Sequence, residues 1–166
     1  MFEIPEPDYD DPKEALAFFG LAAYYAQCVE ESIIILVAIL NVMQPDRAKL
    51  TSYDDYLARL DKRTLGKLIN EDLKKTIQVD LGLQSRLEGL LVKRNYLVHH
   101  FFEKHSLKML SKAGTRETID ELYELARTFR EGDRILVETY EPLFEKMGVG
   151  RDLIEQELER MKRDDC

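Results

Sequence analysis

Arg94, Asn95 and His99 are the residues whose types and spacing suit acid-base chemistry on a phosphodiester, with four residues between the arginine and the histidine. An unperturbed imidazole titrates near ~6.5, so it can take a proton from a hydroxyl or return one to a leaving oxygen, typically for ~10²–10⁴ in rate. A guanidinium can hold a phosphate and offset the charge that builds on its oxygens. Asn95 stands four residues before His99 and shares its side of a helix. At ~100° per residue, Leu87, Leu90, Leu91, Leu97, Val98, Phe101 and Phe102 fall within an arc of roughly 140°, with Arg94 in its middle. Burying an arginine there costs several kcal/mol unless an anion or a set of acceptors meets it. His100 points to the opposite side.

The elements that must position these residues are helical. Residues 1–10, with two prolines and four acids, read as a flexible acidic tail. Asp11, Pro12 and Glu14 form a capping box for a first helix. Phe19, Ala22, Ala26, Val29, Ile33, Leu36, Leu40 and Met43 then recur at spacings of three and four, a helix-packing stripe that Pro45 ends. From Ser32 to Leu40 the sequence is apolar on every face and should be sheathed by other helices or by a second subunit. Shorter helices are expected over 52–60 and 64–73, and the helix carrying Arg94 over about 83–107.

Gly114 reads as a break before a long helix over about 115–147. Its stripe is Ile119, Leu122, Ala126, Phe129, Leu136, Tyr140, Leu143 and Met147, with Asp133 in the one polar place. Gly148 and Gly150 close it, and Ile154, Leu158 and Met161 mark a last amphipathic helix. With no strand, repeat or low-complexity tract, the expected fold is an all-α, up-and-down bundle of about five to six helices, one domain over 11–166.

Composition narrows the function classes. A chain of 166 residues, 45% apolar and 34% charged, has the mix of a soluble globular protein. Its net charge of -8 argues against duplex DNA held on a broad basic face. A local basic site survives: from Lys93 to Lys112 there are five Lys or Arg, all three histidines and a single acid, Glu103. Cys28 and Cys166 suggest no disulfide framework and fit a reducing cytoplasm. The longest apolar run, Ile33 to Met43, falls short of the ~20 residues of a membrane span, and the acidic N-terminus does not read as a signal peptide.

On this helix, Arg94, the polar Asn95 and His99 resemble the signature of the HEPN family (higher eukaryotes and prokaryotes nucleotide-binding), an arginine, usually a polar residue, then a histidine after four to six residues. His100 would match at the next spacing. The resemblance implies an all-α bundle and a metal-independent endoribonuclease, often a toxin of a toxin-antitoxin or phage-defence system, with two copies of the motif facing each other across a homodimer axis. It implies cleavage of single-stranded RNA to a 2',3'-cyclic phosphate and a 5'-hydroxyl. Arg94 would hold the phosphate, His99 would move the proton, and Asn95 would orient either group.

His100, Lys93 and Lys104 are candidate substrate contacts beside the motif. Asp133 is the candidate counter-ion for Arg94, either as a plain structural pair or as the acid that orients it. His99 and His100 are adjacent and cannot share a helix face, and neither Asp nor Cys stands at ligand spacing, so no metal is expected, nor any cofactor. A rival reading keeps the fold as a non-catalytic module that binds a nucleotide, an antitoxin or another protein. Another is a plain helical scaffold whose interaction surface is the apolar segment from Ile33 to Leu40.

Overall fold

The computed structural model describes residues 3–11, 13–43, 64–73 and 81–148. The expected helix over 52–60, the last amphipathic helix, Pro12, Pro45, Gly150 and Cys166 lie outside the described residues. The described residues form five α-helices: α1 (Glu14–Val42), α2 (Leu65–Lys67, running on as a π-helical turn over Leu68–Leu73), α3 (Leu81–His99), α4 (Phe101–His105) and α5 (Lys112–Lys146). A 3-10 turn over Lys108–Leu110 joins α4 to α5. The chain is an all-α helical bundle, and no strand occurs among the described residues.

The principal packing pair is α1 against α5, because each presents a stripe of apolar residues at helical spacing. On α5, Ile119, Leu122, Ala126, Phe129 and Leu136 are buried, and Tyr140 and Leu143 pack at the edge of the core. On α1 the stripe runs through Ala15, Phe18, Ala22, Tyr25, Val29, Ile33 and Leu36. Phe19 sits beside this stripe rather than on it, and Met43, expected in the core, is 41% exposed at the helix end. Ile33, Ile34, Leu36, Val37, Ala38 and Ile39 are all buried, Leu68 and Ile69 of the α2 segment being buried in the same core. The sheath for the apolar half of α1 is therefore supplied within the chain.

By length and composition α1 is also long and apolar enough to cross a membrane, with a mean hydropathy of 1.6 over its most apolar window. That stretch is longer than the run from Ile33 to Met43 suggests, and 56% of the window is buried within the bundle. The buried central helix of a bundle meets the same test.

Three local expectations change in the structure. The Asp11 carboxylate accepts from the Lys13 amide (2.8 Å) and its carbonyl from the Glu14 amide (3.1 Å), but the Glu14 carboxylate reaches the Asp8 amide (3.1 Å), so the cap is not the reciprocal box. Residues 3–11 are not merely a solvated tail: Ile4 packs on the core, the Tyr9 hydroxyl donates to Asp120 (2.5 Å), and Arg116 lies 4.6 Å above the Tyr9 ring. Gly114 does not break the chain. Ser111 caps α5 by accepting from the Gly114 amide (3.1 Å), and a Cβ on Gly114 would stand 2.1 Å from the Lys108 carbonyl oxygen, so the glycine is needed for close approach inside the first turn. Gly148, at φ 80°, does close α5.

Candidate functional site

The helix that carries the motif is shorter than its pattern. It stops at His99, and His100 (φ -128°, ψ -10°) bends the chain into α4. Leu87, Leu90 and Leu97 face the core of α3, and Phe101 continues their line across the bend. Val98 (49% exposed) and Phe102 (37% exposed) fall outside it, so the apolar arc is narrower than the wheel suggests. Arg94 occupies the place between Leu90 and Leu97 on that line, and it is only partly covered.

Its counter-ion is Glu30 of α1. An Arg94 guanidinium nitrogen stands 3.6 Å from Glu30 Oε2, the two side chains being 29% and 24% exposed. Asp133 does not meet Arg94. It is buried, and one carboxylate oxygen accepts from the Ser32 hydroxyl at 2.5 Å. Ser32 and Glu30 are two residues apart on α1 and leave its axis about 200° apart, so the Ser32 side meets α5 while Glu30 is left to reach α3. One cue was present: Glu30 stands next to the stripe residue Val29, where a long acid can span a helix contact.

Arg94 also donates to Asn95 Oδ1 at 3.5 Å, the limit of a hydrogen bond. His99 is exposed at the end of α3, its ring centroid 6.4 Å from that of His100. No hydrogen bond or ion pair joins His99 to Arg94 among the described residues. His100 is exposed and 3.4 Å from Glu103. Lys93 is exposed beside a small cavity between α3 and α5 that Arg86 and Glu131 also line. Lys104 is tied to Glu121 (3.3 Å) and lies 5.1 Å above the Tyr96 ring, so it is less free than its sequence position suggests.

The polar cluster that sequence reading missed centres on His105. This side chain is 1% exposed and stacks on Phe101 at 4.4 Å between ring centroids. Nε2 is 3.0 Å from Glu121 Oε2 and 3.1 Å from the Tyr96 hydroxyl, and Nδ1 is 3.3 Å from the Thr118 hydroxyl. A carboxylate only accepts, so Nε2 carries a proton toward Glu121. The Tyr96 hydroxyl donates to the other Glu121 oxygen at 2.6 Å.

Burial pushes the His105 imidazole below its ordinary range, with Lys104 and Lys108 adding to the shift and Glu121 opposing it. Burial would raise Glu121, but the Tyr96 hydrogen bond, His105 and Lys104 outweigh it and hold the carboxyl below the usual range. Burial first, then the Glu121 hydrogen bond, raise Tyr96. Tyr96 and His105 are nine apart and Thr118 and Glu121 are three apart; only the bend at His100 and the turn at Ser111 bring the two pairs together.

A second feature is a groove of about 650 Å³ along α1 and the C-terminal half of α5, lined by Tyr24, Cys28, Glu30, Glu31, Asp133 and Tyr140 among others. Cys28 is the one free thiol among the described residues, and burial pushes it up, away from nucleophilic use. No group of three or more His, Cys, Asp or Glu suited to hold a metal occurs among the described residues. No protein-family model, curated protein or solved structure matches this chain. The functional reading therefore stands on the geometry of its own residues.

Proposed function

We propose that the chain is a HEPN-like, metal-independent endoribonuclease of the toxin or phage-defence type, acting on single-stranded RNA in the cytoplasm at a cleft made by two copies of Arg94 and His99. The observation that carries this reading is the character of one face of α3. Val92, Asn95 and His99 recur there at spacings of three and four, with Val98 adjacent; all are exposed, Val92 at 69%. Apolar side chains flanking an imidazole with no hydrogen-bond partner among the described residues suit a surface that closes on a second copy. In that cleft one His99 takes the proton of the RNA 2'-hydroxyl as its oxygen attacks phosphorus. The His99 of the other copy gives a proton to the departing 5'-oxygen. The products are a 2',3'-cyclic phosphate and a 5'-hydroxyl, and Arg94 exchanges the Glu30 carboxylate for a phosphate oxygen. An antitoxin would act by covering the same face.

The test is RNA cleavage by the purified chain in chelator, scored by the terminal groups of the fragments. Chelator-resistant cleavage that falls at least ~10²-fold in His99→Ala and in Arg94→Ala is expected; a requirement for divalent metal, or variants that cleave like the parent, overturns the reading. The Arg94 to Glu30 pair favours a second reading, a non-catalytic HEPN-like module that binds a nucleotide or a protein partner with its arginine already satisfied. A dimer that binds RNA without cutting it would select that reading.

A further inference from the structure

We propose that the groove along α1 and the C-terminal half of α5 is a binding site for a small organic cation of the aliphatic amine class. The argument starts from Asp133. Its side chain is 6% exposed, the Ser32 hydroxyl is its hydrogen-bond donor, and no ion pair reaches it from any Lys, Arg or His among the described residues. A carboxylate taken out of water with one neutral donor is under-compensated, because its second oxygen and its charge are left unmet. That carboxylate lines the groove, and Glu30 and Glu31 line it too. Among the described residues the lining holds no basic side chain; Arg94 offsets Glu30 from beside it, and Asp133 and Glu31 leave the groove negative, so a cation is drawn in.

The remaining walls choose among cations. Tyr24, Tyr140 and Val137 line the same opening, giving aromatic faces and methyl groups that suit the methylenes of an alkylammonium chain and the ammonium itself. A hard metal ion wants several oxygens at short range, and the described residues offer no such group. The volume of about 650 Å³ is that of a small-molecule site. One ammonium of a linear amine binds the open Asp133 oxygen, and a second is held by Glu31 at the mouth, Glu30 being the counter-ion of Arg94. This site stands whether or not the chain cleaves RNA.

Calorimetric titration of the full chain with spermidine at physiological salt tests it, with 1,4-butanediol as an uncharged probe and magnesium chloride as a competing hard cation. Saturable binding of one spermidine per chain is expected, with none for the diol and no displacement by equimolar magnesium. Asp133→Asn should weaken binding at least tenfold. Val137→Lys, which tethers an ammonium in the groove without touching the core, should do the same, and it keeps the test open if the first variant fails to fold. Glu117→Gln, an exposed acid near the start of α5, should leave affinity unchanged. Absence of saturable binding, binding that survives Val137→Lys, or displacement by equimolar magnesium overturns the proposal.

Discussion

Two histidine environments six residues apart show how the same side chain is given opposite character. His99 ends α3 in solvent, with no hydrogen-bond partner among the described residues. His105 ends α4 under the first turns of α5, stacked on Phe101 and within reach of Tyr96, Thr118 and Glu121. The first is open to solvent. The second is held by the fold, and its titration is coupled to stability rather than offered to a ligand. The bend at His100 separates them: it directs Phe101 and His105 inward and leaves His99 outside.

The largest expected effect breaks the inner region. Phe101→Ala removes a fully buried ring that packs on Tyr96, Phe102 and His105, and should lower unfolding free energy by about 3–5 kcal/mol in urea titrations, whereas Val98→Ala, on the outer side, should stay within about 0.5 kcal/mol. Next is Gly114→Ala. The added methyl meets the Lys108 backbone, which cannot swing aside as a side chain would, so a loss of roughly 1–3 kcal/mol is expected in the same measurement. At Gly132 the obstacle is the end of the Leu90 side chain, and Gly132→Ala should cost less than Gly114→Ala.

The pH dependence sharpens the contrast. His105 is lowered in the folded chain, so the unfolded chain takes up its proton first as pH falls. Its contribution is whole above the unfolded value, near ~6.5, and is lost as pH drops from there toward the folded value. Glu121 is also lowered, so its contribution is present above the ordinary value of 4.5 and is lost as pH falls through the folded value. Urea midpoints measured against pH should show the upper step in the parent and in His99→Gln, and lose it in His105→Gln. Retention of that step in His105→Gln would mean another group titrates there. A small effect is also expected of Glu30→Gln. The pair with Arg94 is partly solvated and 3.6 Å long, so stability should change by less than about 1 kcal/mol, while RNA affinity rises if Arg94 is the phosphate ligand.

Periodicity carried most of the fold because burial is a one-dimensional demand on a helix. Ile119 through Leu136 on α5, and the fully apolar half of α1, could be assigned before any coordinates, since only helices facing each other can satisfy such stripes. Arg94 was also legible as a charge on a packing line. Its partner was not: Asp133 lay on the corresponding stripe, but the azimuths of Ser32 and Glu30 on α1 decided which acid reached which group.

By itself, the sequence determined an all-α bundle, the two helices that build its core, and a segment where arginine, asparagine and histidine crowd together. Only tertiary structure decided that His105 is interior and His99 exterior, that Gly114 admits a carbonyl rather than ending a helix, and that Asp133 opens on a groove instead of neutralising Arg94. The reason is range. Helical stripes are set by residues three and four apart, whereas the surroundings of a polar side chain are set by neighbours 9 to 101 positions away, as with Tyr96 to His105 and Ser32 to Asp133.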